Sequence, residues 1–167
     1  MARRRGGAPA RADAVFGDTD LSWWRNFTLE SRSIFGMDPD NAFMAGYDHK
    51  AQGGTVHVSN RHITVGKKFF LWGDFPGARV WDAALTDADG PYLELMVGCW
   101  SDNQPDYSWI APYETRRVEQ FWFPVKGIGG VKNATIDGAV NVERLAPDQM
   151  LVGFHSTRAL DGCTVTL

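Results

Sequence analysis

Residues 92–109 read YLELMVGCWSDNQPDYSW, and the first six of them decide the fold class. Tyr92 to Val97 alternates as a β-strand does, with Leu93, Leu95 and Val97 on one face and Tyr92, Glu94 and Met96 on the other. The first set is ordinary core. The second puts a single carboxylate into an otherwise apolar strand. A buried, unpaired carboxylate is costly, so Glu94 is expected to be paired, protonated or facing a wet cavity. Directly after the strand comes Trp100-Ser101-Asp102-Asn103-Gln104, a polar loop framed by Trp100 and Trp109. Carboxylate, amides and indoles at this density suit sugar recognition, with planar acceptors and donors for hydroxyls and flat rings for C–H faces. The competing reading is a strand-end loop in which Glu94 makes a structural ion pair.

Short β-like runs continue on both sides. AFMAGY (42–47), TVHV (55–58), GKKFFLWG (66–73) and RVW (79–81) precede the central strand. After it, TRRVEQFWF (115–123) closes at Pro124, and VKNATI, AVNVERL and MLVGFH follow. Turn signals fall between the runs at roughly ten-residue intervals, and the 18 Gly and 8 Pro spread along the chain suit such punctuation. The fold expected is all-β, an antiparallel sandwich. In TVHV, Thr55 and His57 share one face while Val56 and Val58 share the other. Leu21 to Met37 fits neither period cleanly and reads as a strand or an irregular strap. Residues 1–20 read as a disordered basic leader, and residues 21–167 as one sandwich domain.

The 167 residues are 44% hydrophobic and 13% aromatic, enough for a real core. Four of the 17 basic residues (Arg3, Arg4, Arg5 and Arg11) lie in the first twelve positions, leaving 13 against 20 acids, a net −7. So acidic a body lacks the basic face that nucleic-acid binding requires. No apolar run approaches the ~18 residues of a membrane span, and no signal-peptide apolar segment follows the arginines. The default compartment is the cytoplasm. Cys99 and Cys163 are too few for a disulfide framework and are expected to be free thiols.

His49, His57 and His62 cluster early, but their spacing matches no compact zinc motif, and no metal is assigned. His57 reads as a strand histidine with a hydrogen-bonded ring, and His62, in a polar loop, as the functional one. Lys67 and Lys68 adjoin Phe69, Phe70 and Trp72, where a lysine either binds a ligand oxygen or covers apolar surface with its stem. Gly127-Ile128-Gly129-Gly130 is a turn and not a phosphate loop, since no GK[ST] or helix start follows. No dinucleotide fingerprint is present and no cofactor is expected, and the lack of a serine- or thiol-nucleophile signature counts against catalysis of that type.

The runs GYDHKAQGGTVHVSNRHITVGKKFFLWG and PYLELMVGCWSDNQPDYSWIAPYETRRVEQFWFPVKGIGGVKNAT resemble a bacterial domain family of unassigned function, over about Trp23 to Glu143. That family is related to the galactose-mutarotase-like supersandwich and is often followed by tetratricopeptide repeats. The resemblance implies a supersandwich that handles carbohydrate, and a helical-repeat segment in a longer protein as a partner. It also implies that this chain enters midway, as the later portion of a larger fold. Arg61 and Val65 stand where the family pattern has a second His and a Pro, which bears on any catalytic use of the His62 loop. The site expected has Glu94 as carboxylate, His62 as its acid–base partner, and Trp72 and Trp100 as stacking platforms. Asn103, Gln104, Lys67 and His49 would contact substrate. Asp102 and Asp106 are the candidates for a second carboxylate, which glycosidase chemistry normally needs. The alternative function is a non-catalytic structural or interaction module whose aromatic residues are mostly core.

Overall fold

The computed structural model describes residues 15–16, 19–28, 32–36, 40–101, 107–162, 164 and 166. In chain order the strands are β1 (Val15–Phe16), β2 (Thr19–Asp20), β3 (Arg32–Gly36), β4 (Phe43–Asp48), β5 (Gly53–Ser59) and β6 (Gly66–Leu71). After a helix, α1 (Arg79–Leu85), come β7 (Leu93–Gly98), β8 (Gln120–Lys126), β9 (Asn133–Thr135), β10 (Gly138–Ala146) and β11 (Gln149–Ser156). The architecture is all-β with antiparallel ladders. β4-β5-β8 form one sheet, β11-β10-β9 a second, β3-β6-β7 a third, and β1-β2 a two-residue ladder.

The chain divides into two compact units, residues 1–34 with 69–94 and residues 35–68 with 95–167. In the first, the run RVW is not a strand but the start of α1. Asp82 sits in the first turn, where the helix dipole favours an acid, and Ala83, Ala84 and Leu85 are good helix formers. The β-like look of Val80 and Trp81 loses to that longer context. Trp81 stacks on Trp72 at 4.4 Å between ring centroids and 12° between planes. The Phe27 and Phe69 rings meet edge to face at 6.2 Å, and Phe27 O accepts the Asp74 N–H. The Leu21–Met37 stretch gives a 3₁₀ turn at Trp24–Asn26 followed by β3.

In the second unit two three-stranded sheets enclose a core of Val56, Val58, Val125, Ile128, Ala134 and Ala139. The alternation along β5 explains it. Val56 and Val58 point to that core, while Thr55, His57 and Ser59 point the other way. Ile128, flanked by Gly127 and Gly129 at φ 70° and 78°, turns out to be a core residue, because those glycines fold its side chain under the sheet. β8 does not stop at Pro124. It runs on to Lys126 with Pro124 opposite Thr55, and as the edge strand of its sheet it loses no ladder bond on its outer side. Gly54 allows the close approach of β4. A Cβ there would overlap the Gly46 carbonyl oxygen and stand 2.9 Å from the Tyr47 Cα.

Candidate functional site

The non-core face of β5 carries chemistry. His57 lies opposite Trp122 and Met44, and Ser59 lies opposite Gln120. His57 is fully buried and packs its ring on Trp122 at 4.6 Å. Its Nε2–H donates diagonally to Gln120 Oε1 at 3.1 Å, and the Gln120 amide donates in turn to Cys99 Sγ at 3.7 Å. A donating Nε2 leaves Nδ1 as the acceptor nitrogen, and Nδ1 is buried without a partner. Burial, and the nearby Lys67 charge, lower the His57 pKa to about 4 despite the Gln120 bond. Lys67 is itself buried. Its Nζ donates to Thr64 O at 3.4 Å, and desolvation followed by the Arg61 charge lowers its pKa. Ser59 Oγ and Thr64 Oγ1 close the cluster with a buried hydroxyl pair.

A second constellation surrounds Arg116. Its Cζ lies 5.5 Å over the Trp100 ring, and its guanidinium donates to Glu114 Oε1 at 2.8 Å, to Ser108 Oγ and to Trp109 O. Glu114 accepts the Ala111 N–H through its other oxygen at 2.8 Å, and these two bonds hold its carboxyl below the usual range. The segment 107–117 is thereby folded around one side chain, while Trp109 keeps 86% of its surface in solvent and Tyr113 is fully exposed. Trp100 has φ 59°, an uncommon conformation for a bulky residue, and its N–H donates to Ile63 O at 2.7 Å. Trp100 thus sits against the loop that carries His62. That loop, with residues 117–119, β8 and the turn before β10, also lines an open groove of about 410 Å³.

The sequence-predicted residues separate as follows. His62 is exposed, its N–H bound to Asn60 Oδ1 at 3.0 Å. His49 is exposed on the β4–β5 turn, edge-on to Tyr47 at 5.1 Å. His49 and His62 therefore flank opposite ends of β5, a strand about 20 Å long, and do not converge. Among the described residues no group of three or more His, Cys, Asp or Glu could hold a metal ion. Glu94 belongs to the first unit. It is half-buried and accepts the Tyr92 O–H at 3.0 Å, and this bond, with burial, raises the Tyr92 pKa. Asp82 Oδ1 holds the Tyr92 N–H at 2.9 Å and so anchors the start of β7 to α1. Trp72, also in the first unit, has one ring face covered by Trp81. Asp102, Asn103, Gln104, Asp106 and Cys163 lie outside the described residues.

Sequence reasoning did not single out Gln120 or Arg116. The signal for Gln120 was available, since in TRRVEQFWF it shares a strand face with Trp122. Arg116 carried none, because its partners at 100, 108, 109 and 114 follow no period. Among the described residues no helix is long and apolar enough to cross a membrane. A family described as a domain of unknown function, DUF5107, matches residues 13–125. No solved structure matches the chain.

Proposed function

Since the chain belongs to the DUF5107 family, whose function is unassigned, we propose that it is a carbohydrate-recognition module of mutarotase-like ancestry. The observation that carries this reading is the Arg116 constellation. One guanidinium orients the Trp100 ring and fixes the backbone that carries the exposed Trp109, so the Trp100 ring is held in place before any ligand arrives. Preorganised flat rings beside hydrogen-bonding side chains are the low-entropy way to hold a sugar. The Asn60–Thr64 loop, tied to Trp100 by backbone, supplies the polar groups, with the exposed His62 imidazole among them.

The finer form of the proposal adds glycoside-directed acid–base chemistry, with the exposed His62 imidazole as a proton-transfer group. Release of aryl glycosides, compared between the native chain and His62→Gln, tests it. A glycan array on the full chain, followed by tryptophan-fluorescence titration of each retained glycan, tests recognition itself. The expected result is retention of a defined subset of glycans. An array without any retained glycan overturns the reading. A second reading, a non-catalytic interaction module, is favoured by the outer face of β10-β11. There Met150 and Phe154 are exposed beside Val140, Val142 and Val152.

A further inference from the structure

We propose that the groove beside Trp100 receives the uncharged, apolar aglycone of a glycoside whose sugar stacks on the Trp100–Trp109 surface. This inference rests on the carbohydrate reading above. Ile63, Val118, Phe121 and Ile136, with the edge of the buried Val58, make the apolar lining of this open groove of about 410 Å³. The polar lining comes from Ser59, Asn60, Arg117 and Glu119. Arg117 and Glu119 pair with each other, so their charges cancel locally and select for no ionic ligand. A sugar pressed onto the apolar lining would desolvate its hydroxyls without gaining partners. An aryl ring or short alkyl chain would gain by the same burial.

Continuity with the Trp100 surface decides which molecule brings that apolar group. Ile63 lines the groove, and its carbonyl oxygen accepts the Trp100 N–H at 2.7 Å. Arg117 lines the groove, and its chain neighbour Arg116 lies over the Trp100 ring. Two covalently distant segments thus connect groove and ring side by side. A ligand spanning both is flat and hydroxylated at one end and apolar at the other.

The experiment compares dissociation constants of the full chain for methyl, phenyl and octyl β-D-glucopyranosides and β-D-galactopyranosides, with phenol and 1-octanol as sugar-free controls. Phenyl or octyl glycosides are expected to bind about tenfold more tightly than the methyl glycoside of the same sugar. Val118→Trp, which fills the groove, should bring the phenyl glycoside down to the methyl value and leave methyl binding unchanged. Ile136→Trp, at an exposed position of the same lining, serves where Val118→Trp does not fold. Equal binding of methyl and phenyl glycosides, or a groove variant without effect, overturns the aglycone site and leaves carbohydrate recognition standing. Phenol or 1-octanol binding as tightly as the matching glycosides overturns both, because the sugar then contributes nothing.

Discussion

The Arg116 guanidinium covers the Trp100 ring at 5.5 Å and simultaneously donates to the Trp109 carbonyl, so one side chain ties an indole to the backbone that carries another. Arg116→Ala removes both contacts and leaves the Glu114 carboxylate without its cation. Glycan affinity is expected to fall about tenfold, roughly the 1.4 kcal/mol of one charge-assisted contact. Arg116→Lys restores the charge but not the planar fork and should recover only part of the loss. Titration monitored by tryptophan fluorescence reads both, and unchanged glycan affinity of Arg116→Ala would remove this residue from the site.

Trp100 offers a test in which ring and backbone act in opposite directions. Trp100→Gly relieves the positive φ of 59° and should raise stability relative to Trp100→Ala by about 1 kcal/mol, read from denaturant midpoints. Both substitutions should abolish the sugar-induced fluorescence shift. A shift that survives in either variant assigns it to another tryptophan.

The Tyr92–Glu94 pair predicts a titration change. The hydrogen bond to the Glu94 carboxylate, then burial and the carboxylate's charge, disfavour the phenolate, so the Tyr92 pKa lies above its ordinary value. Glu94→Gln removes that charge and should bring the pKa down, visible in the ultraviolet difference spectrum against Tyr92→Phe. An unchanged value would mean that the pair does not persist in solution.

Acid should unfold the second unit through His57. Its native pKa of about 4 lies below the ordinary 6.5, so between those values the unfolded chain binds the proton that the native state refuses. Stability contributed by the neutral ring is complete above pH 6.5 and is lost as pH falls towards 4, by up to about 3 kcal/mol. Urea midpoints measured from pH 7.5 to 4 should show this slope, and His57→Gln should flatten it. Lys67→Met is expected to raise stability at neutral pH, because a buried ammonium with one long hydrogen bond is replaced by an apolar group of similar length.

Gly54 predicts the largest structural penalty. Any Cβ there collides with the Gly46 carbonyl, and backbone atoms cannot swing aside as a side-chain tip does. Gly54→Ala should cost more than about 3 kcal/mol or prevent folding, read by circular dichroism and thermal melting. A native-like melt would mean that β4 and β5 can separate at this point without loss.

Alternation along single strands was legible in the sequence, because side-chain direction in a strand depends only on parity. It set Val56 and Val58 on one face and His57 on the other, gave His57 a hydrogen-bonded ring, put Tyr92 and Glu94 on one face, and located the runs that became β4 to β11, with RVW as its failure. There the local β preference of Val80 and Trp81 yielded to the helical preference of the residues that follow. What lay beyond sequence was every relationship between runs. The register that sets His57 opposite Trp122, the diagonal reach to Gln120 and the turn that buries Ile128 all depend on which strands pair. So does the distance between His49 and His62, thirteen positions apart in the chain and held at the two ends of one strand. Arg116 shows the limit most plainly. Its meaning comes from a ring, a hydroxyl and a carbonyl that only the folded chain brings within reach of its guanidinium, and no local pattern encodes such a meeting.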